Sequence, residues 1–113
     1  MELNEYQKLA ERTMQKALPM ELLTNAALGL SGEAGEVADH LKKNLFQNHP
    51  LSQEHLKEEL GDVLWYIAQG AKALDTTIEE IATNNIAKLR ERYPAGFDSE
   101  RSIHREENRW MYH

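Results

Sequence analysis

The sequence predicts an all-α fold, a compact bundle of four main helices completed by oligomerisation. Two observations carry that prediction. Apolar residues recur three and four apart, and no stretch alternates in the manner of a strand. Three prolines and six glycines divide the chain into helical pieces.

The first helix is predicted from Asn4 to Lys16, with Asn4 as N-cap and Gln7 three residues on in a capping-box arrangement. Pro19 begins a longer second helix that reaches Asn44, with Leu23, Ala27, Leu30, Ala34, Val37 and Leu41 as its inner stripe. Asn48-His49-Pro50 breaks the chain. Ser52 then caps a third helix whose inner stripe is Leu56, Leu60, Val63, Ile67, Ala71 and Leu74. Thr77-Ile78-Glu79-Glu80 reads as another N-cap, and the fourth helix runs to Tyr93, where Pro94 and Gly96 end it. The segment from Phe97 to His113 is highly charged, with Trp110 and Tyr112 near its end, and reads as a short helix or an arm lying on a partner subunit.

Bulk properties bound the function. At 113 residues the chain is expected to be one domain, residues 1–113 with a charged tail over 98–113, and small enough to gain from oligomerisation. A net charge of −6 argues against general nucleic-acid binding, which needs a basic surface to replace counterions. Small anionic substrates stay possible, because a bound cation inverts the local field. With no cysteine, disulfides and thiolate metal sites are excluded. The acidic, polar start Met1-Glu2-Leu3-Asn4-Glu5 lacks a signal-peptide layout, and no apolar run approaches membrane-spanning length. The expected location is the cytoplasm.

Two stretches nearly repeat one another, Glu33-Ala34-Gly35-Glu36-Val37 and Glu59-Leu60-Gly61-Asp62-Val63. Each sets two acids three apart, on one face of a helix. With Glu59 as origin, Asp62 falls about 60° to one side, and Val63, Leu56, Ile67 and Leu60 about 40–100° to the other. Glu33 and Glu36 stand in the same relation to Val37, Leu30 and Leu41. Both pairs are therefore expected on the shoulder of a buried face, and antiparallel packing of helices two and three would turn them toward a shared cleft. A lone pair of this kind is ordinarily a solvated helix face. Two matching pairs in apolar sequence are costly without positive charge between them. Carboxylates alone favour hard ions, magnesium or manganese, which clamp phosphate chains and activate water. A di-iron bundle would need Glu followed three residues later by His, and neither pair offers it.

These residues resemble the MazG-like members of the all-α nucleoside triphosphate pyrophosphohydrolases, whose pattern is E-x-x-E, a spacer, then E-x-x-D. The likeness extends over residues 3 to 97 through Asn4-Glu5-Tyr6-Gln7, Leu28-Gly29-Leu30-Ser31-Gly32-Glu33, Glu58-Glu59-Leu60-Gly61-Asp62-Val63-Leu64-Trp65-Tyr66 and Asn85-Ile86-Ala87-Lys88-Leu89 followed by Arg92. The tail after Phe97 matches no pattern of the family. The resemblance implies magnesium-dependent hydrolysis of a nucleoside triphosphate between the α and β phosphates, giving the monophosphate and pyrophosphate. It implies Glu33, Glu36, Glu59 and Asp62 as metal ligands, with Glu33 or Glu36 also orienting the attacking water. It implies a homodimer, or a homotetramer built from dimers.

Further residues support this reading or compete with it. Asn85, Lys88 and Arg92 line one stripe of helix four. Asn85 stands where an apolar residue would continue the inner stripe, so a polar partner is expected. Lys88 reads equally as a phosphate contact and as a surface charge paired with Glu91 or Glu80; for Arg92 the surface pairing is favoured. Asn25, two turns before Glu33, is a candidate for meeting the nucleobase or a buried structural amide. Trp65 is expected at a subunit interface. His40 is on the acid face, where a plain polar contact is expected, and His49, His55, His104 and His113 read as unremarkable. Arg101, Arg105 and Arg109 recur every four residues, a ridge whose interleaved acids favour simple solvation. The alternative to an enzyme is a non-catalytic helical metal-binding or protein-interaction module. The intact set of four acids weighs against it.

Overall fold

The computed structural model describes the backbone of residues 1–109 and the side chains of residues 1–104. The chain is all-helical, with α1 (Leu3–Glu11), α2 (Pro19–Gln47), α3 (Gln53–Ala73), α4 (Ile78–Arg92) and α5 (Ser99–Arg109). Among the described residues the only β pairing is an isolated bridge between Pro94 and Gly96. The chain forms two compact units, Met1–Ile78 and the part from Glu79 onward.

In the first unit the helix ends explain themselves locally. Pro19 takes the first helical position of α2, where its missing N–H costs nothing, and Glu21 Oε1 accepts from Leu18 N at 3.0 Å. The 29-residue α2 ends at Asn48, which adopts the left-handed conformation (φ 59°) ahead of Pro50. Ser52 caps α3 as the sequence predicts, its Oγ accepting from His55 N at 3.2 Å.

The start of the chain departs from expectation. α1 begins at Leu3 with Glu2 as N-cap and no side-chain cap, and it stops at Glu11 rather than Lys16. Asn4 is therefore not the N-cap, and Gln7 does not close a capping box. Gln7 turns inward and is buried: its Nε2 donates to Thr76 O at 3.1 Å and to Glu11 Oε1 at 3.3 Å, and its Oε1 accepts from Ile78 N at 2.7 Å. A long-range tie to the turn before α4 satisfies three polar groups, and that outweighs a local cap.

Two seams hold the unit. Between α1 and α3, Ala10, Ala68, Ala71 and Ile78 are buried, flanked by Tyr6, Met14 and Trp65. Ile78 is the large aliphatic of that cluster, and burying it stabilises by about 1.5–3 kcal/mol. Trp65 is thus half-buried within the chain, packed against this cluster. Its Nε1 donates to Thr13 Oγ1 at 2.7 Å, and its ring meets Tyr66 edge-on at 5.1 Å.

Between α2 and α3 the buried residues are Leu22 and Ala26 on one helix and Glu59, Ala68, Gln69 and Ala71 on the other. The predicted stripes are only partly inward. Leu23, Leu30, Val37, Leu56, Val63 and Ile67 are half-buried, while Ala27, Ala34, Leu41, Leu60 and Leu74 are exposed. The contact face of α2 is rotated toward its smallest residues, which lets the backbones approach. Gly29 lies directly under the ring of Tyr66, and Gly70 abuts Ala26. Fully buried Gln69 donates its Nε2 to Leu22 O at 2.9 Å across this seam.

In the second unit, α4 ends before Pro94, and Gly96 turns the chain with φ 96°. Tyr93 and Phe97 pack ring against ring at 5.5 Å. Asp98 Oδ1 accepts from Glu100 N at 2.9 Å at the start of α5. The charged segment is thus helical over Ser99–Arg109; Trp110 and Tyr112, and the side chains of the predicted Arg105 and Arg109 ridge, lie outside the described residues.

Candidate metal centre

The site follows from the register of the α2–α3 seam. The helices run antiparallel, so advancing along α2 means retreating along α3. Gly29 faces Tyr66, Glu33 faces Asp62 and Glu59, Glu36 faces Glu59, and His40 faces His55. One packing contact between a glycine and a ring, one helical turn away, therefore brings two acid pairs from separate helices together.

One carboxylate oxygen from each of Glu33, Glu59 and Asp62 lies within 4.8 Å of the other two. Glu59 is not on a shoulder as predicted: it is buried, at 7% exposure. Glu33 is half-buried, and Glu36 and Asp62 are exposed. The carboxyl of Glu59 is pushed up from 4.5 to about 7, chiefly by the Glu33 carboxyl within hydrogen-bonding reach, then by loss of water, then by Glu36. Asp62 also acts on its surroundings. Tyr6, half-buried on α1, has its hydroxyl pKa raised by burial first and by the Asp62 charge second.

The donor set fits a hard divalent cation. Glu33 Oε2 and Glu59 Oε2 are buried and receive no hydrogen bond from the protein. Ionised, both are acceptors with nothing to accept from; a shared proton or a cation is what such a pair needs. All-oxygen ligands of this kind suit magnesium or manganese.

Sequence reasoning passed over His55. It stands one turn before Glu59, with Nε2 3.3 Å from Glu59 Oε1; the four-residue spacing was the signal that could have found it. His40 makes a plain polar contact, as expected: its Nε2 accepts from Ser52 N at 3.1 Å. Asn25 is exposed on α2, outside the acid cluster. On α4, Asn85 and Lys88 are exposed and Arg92 is half-exposed. The inward position expected for Asn85 is not seen. Ile78 is the buried residue of α4, and Ile81, Ile86 and Leu89 are 39–45% exposed, so among the described residues no buried stripe of α4 continues through Asn85.

Two acid pairs on antiparallel helices, with one oxygen of a buried acid lacking a donor, make an all-helical protein with a carboxylate cluster that could hold a metal ion. The family is narrower than that. A model of the MazG nucleotide pyrophosphohydrolase domain matches residues 23–97, and the chain belongs to this family of hydrolases. It is 41% identical over 81 residues to the Gene 37 protein of Mycobacterium phage L5, an alignment covering 68% of this chain and 71% of that protein. No solved structure matches the chain. Among the described residues no helix is long and apolar enough to cross a membrane.

Proposed function

We propose that the protein hydrolyses nucleoside or deoxynucleoside triphosphates between the α and β phosphates, releasing the monophosphate and pyrophosphate, with magnesium bound by Glu33, Glu36, Glu59 and Asp62. The observation that carries this is the pair of buried, donorless oxygens, Glu33 Oε2 and Glu59 Oε2, within a carboxylate cluster. Bound magnesium supplies the positive charge that offsets phosphate oxygens and acidifies water. Glu33, Glu59 and Asp62, whose carboxylate oxygens lie within 4.8 Å of one another, would hold it together with Glu36. Glu36, exposed beside Glu59, would also orient the attacking water as its general base. Manganese is a substitute ion. Asn25, Asn85, Lys88 and Arg92 are assigned to substrate on their polar chemistry alone, with Lys88 and Arg92 as donors to phosphate.

The protein acts as a homodimer or a dimer of dimers in the cytoplasm. Support for assembly comes from the apolar surface of the first unit, where Leu28, Leu45 and Phe46 are each at least 70% exposed.

The test is pyrophosphate release from a panel of ribo- and deoxynucleoside triphosphates, with magnesium and with chelator, beside Glu59→Gln. Magnesium-dependent release that the variant loses is expected. Folded protein releasing none from any triphosphate refutes the enzyme reading and favours an interaction module.

A further inference from the structure

The two oxygens of Glu59 have different surroundings. Oε2 is buried and has no hydrogen-bond donor, whereas Oε1 has His55 Nε2 at 3.3 Å. When Glu59 is ionised to take a metal, its Oε1 can only accept, so the imidazole nitrogen is the group at this contact able to supply a proton to it. His55 is itself held in place. Its backbone N–H donates to Ser52 Oγ at the cap of α3, and its ring packs tilted against the ring of His40 at 5.2 Å. His40 in turn accepts from Ser52 N. A short ordered path thus runs from the cap of α3 through an α2 histidine to one oxygen of the buried acid.

We propose that His55 is a positioning residue for the acid cluster, holding Glu59 through Oε1 so that Oε2 is presented to the divalent ion. This rests on the reading of the acids as a metal centre. A ligand carboxylate whose second oxygen is hydrogen-bonded loses little orientational freedom when the ion arrives, and removing such a partner typically weakens metal binding by about 10–100-fold. His55 does this without touching substrate or ion. Its side chain is 49% exposed, so truncation opens no cavity in the core.

The experiment is Mn²⁺ binding alone, followed by the electron paramagnetic resonance signal of free Mn²⁺, for wild type, His55→Ala and His55→Gln at one pH, with circular dichroism confirming the fold. Gln keeps an N–H donor at similar reach. His55→Ala should bind Mn²⁺ about 10–100-fold more weakly, and His55→Gln should recover most of that loss. An alanine variant that binds as wild type, or a Gln variant no better than alanine, overturns the proposal while leaving the metal centre standing. Folded wild type that binds no Mn²⁺ removes the metal reading itself, and the role of His55 with it.

Discussion

Gly29→Ala should destabilise the protein, although alanine is the better helix former. Inside a helix the exchange by itself is worth about 1 kcal/mol in favour of alanine. At Gly29, however, the added Cβ would lie 2.6 Å from Tyr66 Cδ1 and closer still to Cε1 and Cζ. Carbon atoms rest about 3.5–4.0 Å apart, so the ring or the helices must move by about 1 Å or more. The ring is half-buried and already packed edge-on against Trp65, so its escape is restricted. Overpacking of this kind costs about 1–3 kcal/mol and occasionally more. Clash should therefore exceed propensity, for a net loss of up to about 2 kcal/mol. With an unfolding entropy of roughly 2.1 cal/mol/K per residue, that lowers Tm by up to about 8 °C. The assay is a thermal or urea melt of a double-mutant cycle with Tyr66→Ala. In the Tyr66→Ala background the ring is gone, and Gly29→Ala should become stabilising by about 1 kcal/mol. A stabilising Gly29→Ala in the wild-type background would refute the close α2–α3 approach that positions the acids.

Two further outcomes are expected. Because the folded protein holds a proton on Glu59 up to about pH 7 against 4.5 when free, the stability from this group is present below pH 4.5 and is lost as pH rises through 7. In chelator, the melting temperature of wild type relative to Glu59→Gln should therefore fall between pH 5 and pH 8, and Mn²⁺ should raise the wild-type value far more at pH 8 than at pH 5. Equal pH profiles for the two proteins would show that Glu59 does not hold the proton. Separately, light scattering after size exclusion should give a dimer or tetramer at micromolar concentration, and a monomer would refute assembly through the exposed apolar residues of α2.

Where the sequence was legible, the reason is geometric. Three-residue spacing fixes two side chains on one helical face whatever the tertiary structure, so Glu33 with Glu36 and Glu59 with Asp62 could be paired before any fold was known. The Ser52 cap and the breaks at Asn48 and Pro94 are likewise local. The inner stripe of α2 was not legible, because its apolar residues come as adjacent couples, Leu22-Leu23 and Ala26-Ala27. Periodicity accepts either member of such a couple. The partner helix decides, and here the seam takes the face carrying Gly29, which admits the ring of Tyr66. Gln7 misled for the opposite reason: its local cue was good, but its amide meets three polar groups, two of them about 70 residues away in sequence.

The same distinction explains how one acid comes to be buried. Spacing alone puts Glu59 on a shoulder, half in water, with an ordinary proton affinity. The register set at Gly29 and Tyr66 carries it inward against Glu33, and the path from Ser52 through His40 and His55 restrains one of its oxygens. None of those contacts compensates the charge on the other oxygen. The uncharged packing that draws α2 to α3 thus holds the carboxylates together against their repulsion, and it leaves a site whose remaining need is a cation.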